Sequence, residues 1–240
     1  MTVFTGSDLT CRRGERMVFA RLAFTAGPGD AIMLRGRNGA GKSSLLRVMA
    51  GLLAPLHGQI FWQGEDIADD MAAHRARLQY LGHQDAVKPV LTVWDNLRLW
   101  AELRGIRDVD SEIDRALDAL GILHLANTTG RFLSSGQKRR TALARILIGP
   151  AQLWLLDEPT VGLDRESSAG LAGLIEKFRG DGGTVIYSTH IDLDITGPKL
   201  LDLDEFAIPM MEWLAGAPDD VVPEEGPQAI ETPDKEGVSA

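Results

Sequence analysis

The 240-residue chain is 44% apolar and 25% charged, the balance of a soluble globular protein with enough length for a substantial core. Its net charge of −9 argues against a nucleic-acid partner, since such binders need excess Lys and Arg to neutralise phosphates. No apolar run reaches the ~18 residues of a membrane span, the first residues lack a signal-peptide pattern, and the single cysteine, Cys11, rules out an internal disulfide and fits a reducing compartment.

The chain opens with alternation. Val18, Ala20, Leu22 and Phe24, within residues 9–25, predict paired strands of a sheet with one exposed face. Gly27-Pro28-Gly29-Asp30 is a turn feeding an apolar strand over residues 31–34. A glycine-rich loop follows, then an amphipathic helix from Lys42 to near Gly51. Beyond Pro55 and Gly58, residues 59–62 predict a strand, 65–76 a polar and partly helical stretch, and 78–81 another short strand. Pro89 bars a regular helix through residues 85–92. Thr92 stands where an N-cap belongs for a helix over Val93–Leu103, and Ile113, Leu117 and Leu120 mark one face of a second helix over 111–120. A helical insertion over about 89–148 therefore interrupts an α/β chain. The strand pattern resumes at 153–156, followed by a helix over 167–179 and strands over Thr184–Ser188 and 200–203. Residues 216–240 hold seven acids, one base and four prolines, a composition that predicts a solvated, disordered tail.

Three stretches carry chemistry. In Gly36-Arg37-Asn38-Gly39-Ala40-Gly41-Lys42-Ser43 the glycines let the backbone turn its N–H groups around a polyphosphate, and the helix that begins there adds partial positive charge. Lys42 can reach the terminal phosphates, Ser43 can ligate a magnesium ion that bridges them, and Ser44 closes the phosphate-binding segment. An apolar strand ends in Asp157 and Glu158. A buried parallel strand would set Asp157 at its carboxyl edge to hold the magnesium water shell, with Glu158 as general base for an attacking water. Leu133-Ser134-Ser135-Gly136-Gln137, ahead of a basic helical run, reads as a second anion-binding helix N-terminus or as an ordinary serine N-cap.

In this order and spacing the three stretches resemble the ATP-binding subunit of an ABC transporter, over about residues 3–206. Ser135 stands where that family usually has Gly. The resemblance implies an α/β P-loop NTPase of ABC ATPase type: a RecA-like mixed sheet core, an antiparallel β subdomain and a helical signature subdomain. It divides the chain into an ATPase domain, residues 1–206 with the helical subdomain at about 89–148, and an acidic tail, residues 207–240. It implies ATP and Mg2+ as ligands and a homodimer in which each ATP lies between one chain's phosphate loop and the partner's residues 133–137. By the same resemblance, Gln84 senses magnesium and the transport subunit, Asp164 belongs to a loop crossing the dimer interface, and His190 holds the terminal phosphate and Glu158. The family usually stacks an aromatic residue on adenine; here Arg13 takes that position, and Phe19 is the neighbouring aromatic alternative.

Leu81-Gly82-His83-Gln84, Leu91 to Leu97, Gly136-Gln137-Lys138-Arg139-Arg140 and the missing aromatic further resemble the ATPase subunits of cytochrome c maturation systems. That likeness implies ATP hydrolysis coupled to haem export, or to release of a haem-loaded chaperone. It also implies integral membrane partners and a peripheral place on the cytoplasmic face of a bacterial inner membrane. No haem-ligand signature is present, so no direct haem ligand is expected. A soluble ABC ATPase of iron–sulfur cluster assembly would share every nucleotide motif. DNA-repair ATPases of this kind need coiled coils or basic grooves, and a small-molecule P-loop kinase has no use for residues 133–137.

Overall fold

The computed structural model describes residues 3–14, 16–191 and 193–207; the acidic tail of the sequence reading, from 208 on, lies outside the described residues. Two sheets organise the chain. β1 (Phe4–Arg13), β2 (Arg16–Ala26), β4 (His57–Trp62) and β5 (Glu65–Asp66) form an antiparallel sheet in the order β2-β1-β4-β5. Its inward residues Phe4, Leu9, Phe19 and Leu22 are fully buried and share one apolar cluster with Leu45, Leu46 and Met49 of α1 (Lys42–Met49). The alternation seen in the sequence thus faces a helix rather than solvent on its apolar side.

The second sheet joins β3 (Ala31–Arg35), β6 (Leu78–Leu81), β7 (Leu153–Asp157), β8 (Thr184–Ser188) and β9 (Lys199–Asp202) in the order β6-β7-β8-β3-β9. Every described pair in it is parallel. The mixed character expected of the core is therefore divided, parallel in one sheet and antiparallel in the other. β7 and β8 are buried along their whole length, as central parallel strands covered on both faces must be. Because all five run the same way, their carboxyl ends open on one edge, where such sheets form a ligand crevice. The phosphate loop follows β3, Asp157-Glu158 ends β7, and Ser188-Thr189-His190 ends β8.

The remaining helices are α2 (Met71–Arg77), α3 (Val93–Leu103), α4 (Val109–Ala119), α5 (Ser135–Ile146) and α6 (Arg165–Gly180). Val93, Leu97, Ile113, Leu117 and Ala144 pack α3, α4 and α5 into an apolar cluster of their own. α5 also sends Ala142, Leu143 and Ile146 into the cluster that covers β7, β8 and α6, so it joins the helical layer to the core sheet. Thr92 caps α3 as the sequence predicts, its hydroxyl accepting from the Asp95 N–H at 3.0 Å. α4 begins at Val109, two residues before the expected start, because Asp108 accepts from the Ser111 N–H and acidic residues fill its positive first turn. Likewise α6 starts at Arg165 instead of 167, capped by Asp164. The last strand stops at Asp202, whose carboxylate accepts from the Asp204 N–H and turns Leu203–Phe206 into a 3-10 helix.

Candidate active site

The loop after β3 is held in a shape that glycine permits. Gly36, Gly39 and Gly41 have φ values of 136°, 83° and 106°. Gly41 has a second constraint: a Cβ there would lie 2.3 Å from Val18 Cγ1 and 3.0 Å from Phe19 Cδ1, so β2 crosses directly over the loop. Lys42 is the first residue of α1 and is buried; its Nζ donates to the carbonyls of Gly36 at 2.7 Å and Arg37 at 3.3 Å. Asn38 and Gly39 are exposed, Ala40 is buried, and Ser43 and Ser44 are half-buried at the helix start. Asp204 fixes the loop from outside, accepting from the Arg37 N–H at 3.0 Å with the Arg37 guanidinium 3.5 Å away. A cavity of about 440 Å3 opens between Gly36, Arg37 and Lys42 on one side and Thr189 and His190 on the other.

The two acids after β7 behave differently. Asp157 is buried; one oxygen accepts from the Ser188 hydroxyl at 2.9 Å, and Oδ2 has no hydrogen-bond partner among the described residues. A buried carboxylate oxygen left unpaired costs about 1–3 kcal/mol or more, which water or a cation at that oxygen would relieve. Glu158 takes a left-handed backbone, φ 49°, and its N–H donates to the Ser188 carbonyl and hydroxyl. Its carboxylate is one-fifth exposed and lies 2.9 Å from His190 Nε2. Carboxylate and imidazole therefore meet at the cavity that Lys42 lines, although 32 residues apart in the chain. Ser188, which organises both acids, was not singled out in the sequence because a serine ending a strand carries no signal of its own.

The other predicted residues are placed elsewhere. Ser134 is the N-cap of α5: its hydroxyl accepts from the Gln137 N–H, and Gln137 Oε1 accepts from the Ser134 N–H. Ordinary cap and anion-site readings are compatible, because helix geometry leaves the Ser135 and Gly136 N–H groups without intrahelical acceptors. Ser135 is exposed, so its side chain has room where glycine is usual. Gly136 has none: a Cβ would sit 2.7 Å from the Gly162 carbonyl. Leu133 is buried in the helical cluster. Asp164 accepts from the Ser167 N–H at 2.8 Å, and that backbone bond together with the Ser167 hydroxyl holds its carboxyl below the usual range. Gln84 is exposed and lines a second cavity of about 1090 Å3 with Arg47, Tyr80, Trp100 and Arg145. No bond joins Gln84 to Lys42, Asp157 or Glu158 among the described residues. Arg13 is exposed at the end of β1, and it is its cross-strand partner Arg16 that reaches the loop, donating to the Gly39 carbonyl at 3.3 Å. Phe19 lies wholly in the core.

No group of three or more His, Cys, Asp or Glu among the described residues could hold a metal by itself. A hydroxyl at Ser43 and the free Asp157 oxygen suit instead a hard cation that keeps most of its shell as water and phosphate oxygens.

A family model described as ABC transporter matches residues 19–161. The chain is 50% identical over 209 residues to the cytochrome c biogenesis ATP-binding export protein CcmA of Paramagnetospirillum magneticum, covering 86% of this chain and 96% of that protein. It is also 50% identical over 205 residues to the protein of the same name from Rhodospirillum rubrum, covering 85% and 87%. Among solved structures, a putative ABC transporter ATP-binding protein from Pyrococcus furiosus superposes with a TM-score of 0.75 at 27% identity, covering 85% of this chain and 99% of that one.

Proposed function

The chain belongs to the ABC transporter family of ATP-binding subunits, and on that premise we propose that it serves as the ATPase of a cytochrome c maturation complex. In this reading ATP hydrolysis drives haem export or the release of a haem-loaded chaperone at the membrane. Half-identity to the named export proteins over nearly their whole length supports it. A non-transport role in iron–sulfur assembly has no corresponding support among those relatives.

The observation that carries the chemistry is the Glu158–His190 pair, 2.9 Å apart beside the cavity lined by Lys42. The N–H groups from Gly39 to Ser44 cradle the phosphates at the start of α1, and Lys42 turns from its two carbonyl partners toward the terminal phosphate. Glu158 accepts the proton of the attacking water, while His190 donates from Nε2, orienting that carboxylate and touching the terminal phosphate. Magnesium, held by Ser43 and through water by Asp157, would neutralise charge shared by the terminal phosphates.

The Ser134–Gln137 helix start completes the site of a second copy. Ser134 and Ser135 are exposed there and a helix start has N–H groups to offer, so in this reading each ATP lies between two chains, beside the loop carrying Asp164. In the same reading a membrane subunit docks in the groove lined by Gln84 and rimmed by exposed Leu52 and Leu103, with the chain peripheral at the cytoplasmic face of the inner membrane. No helix among the described residues is long and apolar enough to cross that membrane itself. The ATPase body spans residues 1–206 with the helical unit at about 89–148, and Arg16 joins Arg13 as a candidate to face the base.

The test is genetic. A strain lacking this chain should lose its haem-loaded c-type cytochromes and regain them with the wild-type chain but not with Glu158→Gln. Normal haem-stained cytochromes in the deletion strain would sink the assignment.

A further inference from the structure

Arg139 sits on the buried face of α5, within the basic helical run Lys138-Arg139-Arg140. Its side chain is 3% exposed. Each of its five N–H donors has an acceptor. Nε donates to the Pro159 carbonyl at 3.2 Å; Nη2 donates to the carbonyls of Asp157 at 2.8 Å and Glu158 at 2.6 Å. Nη1 donates to the Gly82 carbonyl at 3.2 Å and to the Asp85 carboxylate at 2.9 Å. Only a rigid planar fork can serve five acceptors in this way; an ammonium offers three donors from one point.

The acceptors belong to two segments that no motif joins. One is the turn 157–159, where Glu158 adopts the left-handed backbone that non-glycine residues avoid. The other is the segment 82–85, which carries Gln84 into the large groove. We infer that Arg139 is a positioning residue: it locks the backbone of Glu158 so that the carboxylate faces His190, and it ties that lock to the Gln84 segment through Asp85. A partner that shifts residues 82–85 thereby changes where Glu158 points without touching ATP. The inference rests on Glu158 as the base.

Arg139→Met, Arg139→Lys and Asp85→Ala, in the full chain, test it by ATPase kcat and KM, equilibrium ATP binding and melting temperature. A base displaced by an ångström loses about 100-fold in rate, the kcat loss expected for Arg139→Met, with ATP affinity within about threefold of wild type. Arg139→Lys should keep the fold and binding yet leave kcat about tenfold or more below wild type, because it cannot span both segments. Asp85→Ala, which leaves the guanidinium on the turn, should lower kcat about tenfold with KM unchanged. If Arg139→Met does not fold, the other two decide. A merely structural arginine would show Asp85→Ala with wild-type kcat at temperatures below melting, or kcat losses that track stability, and either result overturns the inference. Glu158→Gln is measured alongside: if it turns over ATP normally, the base assignment fails, whereas a dead Glu158→Gln beside a fully active Asp85→Ala rejects the positioning role alone.

Discussion

At the residue level the chemistry divides between groups that announce themselves and groups that do not. Lys42 and Glu158 were legible because a phosphate loop and a strand ending in two acids have few other readings at this spacing. Glu158→Gln should bind ATP but lose about 100- to 10,000-fold in turnover, the usual worth of a positioned base, as read by steady-state phosphate release. Turnover within threefold of wild type would remove Glu158 from that role. Lys42→Ala should instead lose ATP binding itself, because its ammonium is buried at the loop, held by the Gly36 and Arg37 carbonyls and within reach of a terminal phosphate. Titration with a fluorescent ATP analogue separates the two variants. Ser188 and Arg139 were invisible for opposite reasons: one is a common residue at a strand end, the other sits in a charge run whose neighbours are half-exposed. Only tertiary contacts reveal that its side chain turns inward. The place of Arg16 was not legible either, since only the β1–β2 hairpin brings this cross-strand partner of Arg13 against the Gly39 carbonyl.

At the level of elements, apolar period carried most of the fold. The helices expected over 93–103 and 111–120 stood out because their faces are unbroken, and β7 and β8 because buried parallel strands are apolar throughout. Helix starts were less legible, since Asp108 and Asp164 by capping begin α4 and α6 two residues ahead of the expected starts. The joining role of α5 could not be seen, because an element buried on two sides has a weak period. The cluster that α3, α4 and α5 share is nonetheless self-contained. Ile113, fully buried there, should cost about 2–5 kcal/mol as Ile113→Ala, measured by urea unfolding. A loss below 1 kcal/mol would mean that the helical layer repacks freely and contributes little to the whole.

For the whole molecule, stability should depend on acid through His74. This imidazole is fully buried against Phe4, with one ring nitrogen bonded to the Met49 carbonyl and the other without a partner among the described residues. Burial pushes its pKa below the ordinary 6.5; the Met49 bond opposes that, and Arg77 and Arg75 add to it. The folded form therefore takes up a proton less readily than the unfolded chain, so the contribution is present above pH 6.5 and fades as pH falls below it. Resistance of the wild type to unfolding should fall from pH 7.5 to 5 more steeply than that of His74→Gln; parallel curves would exclude His74 as the cause. Assembly is the other property of this scale, and the sequence hinted at it only through a family likeness, since one chain cannot show what meets its exposed helix start. The most direct measurement is light scattering of Glu158→Gln with and without ATP. The expected result is a single chain without nucleotide, a dimer with ATP, and loss of that dimer, but not of ATP binding, when Ser134→Arg is added. A chain that stays monomeric with ATP bound, or a dimer indifferent to both ATP and Ser134→Arg, would contradict a site shared between two copies.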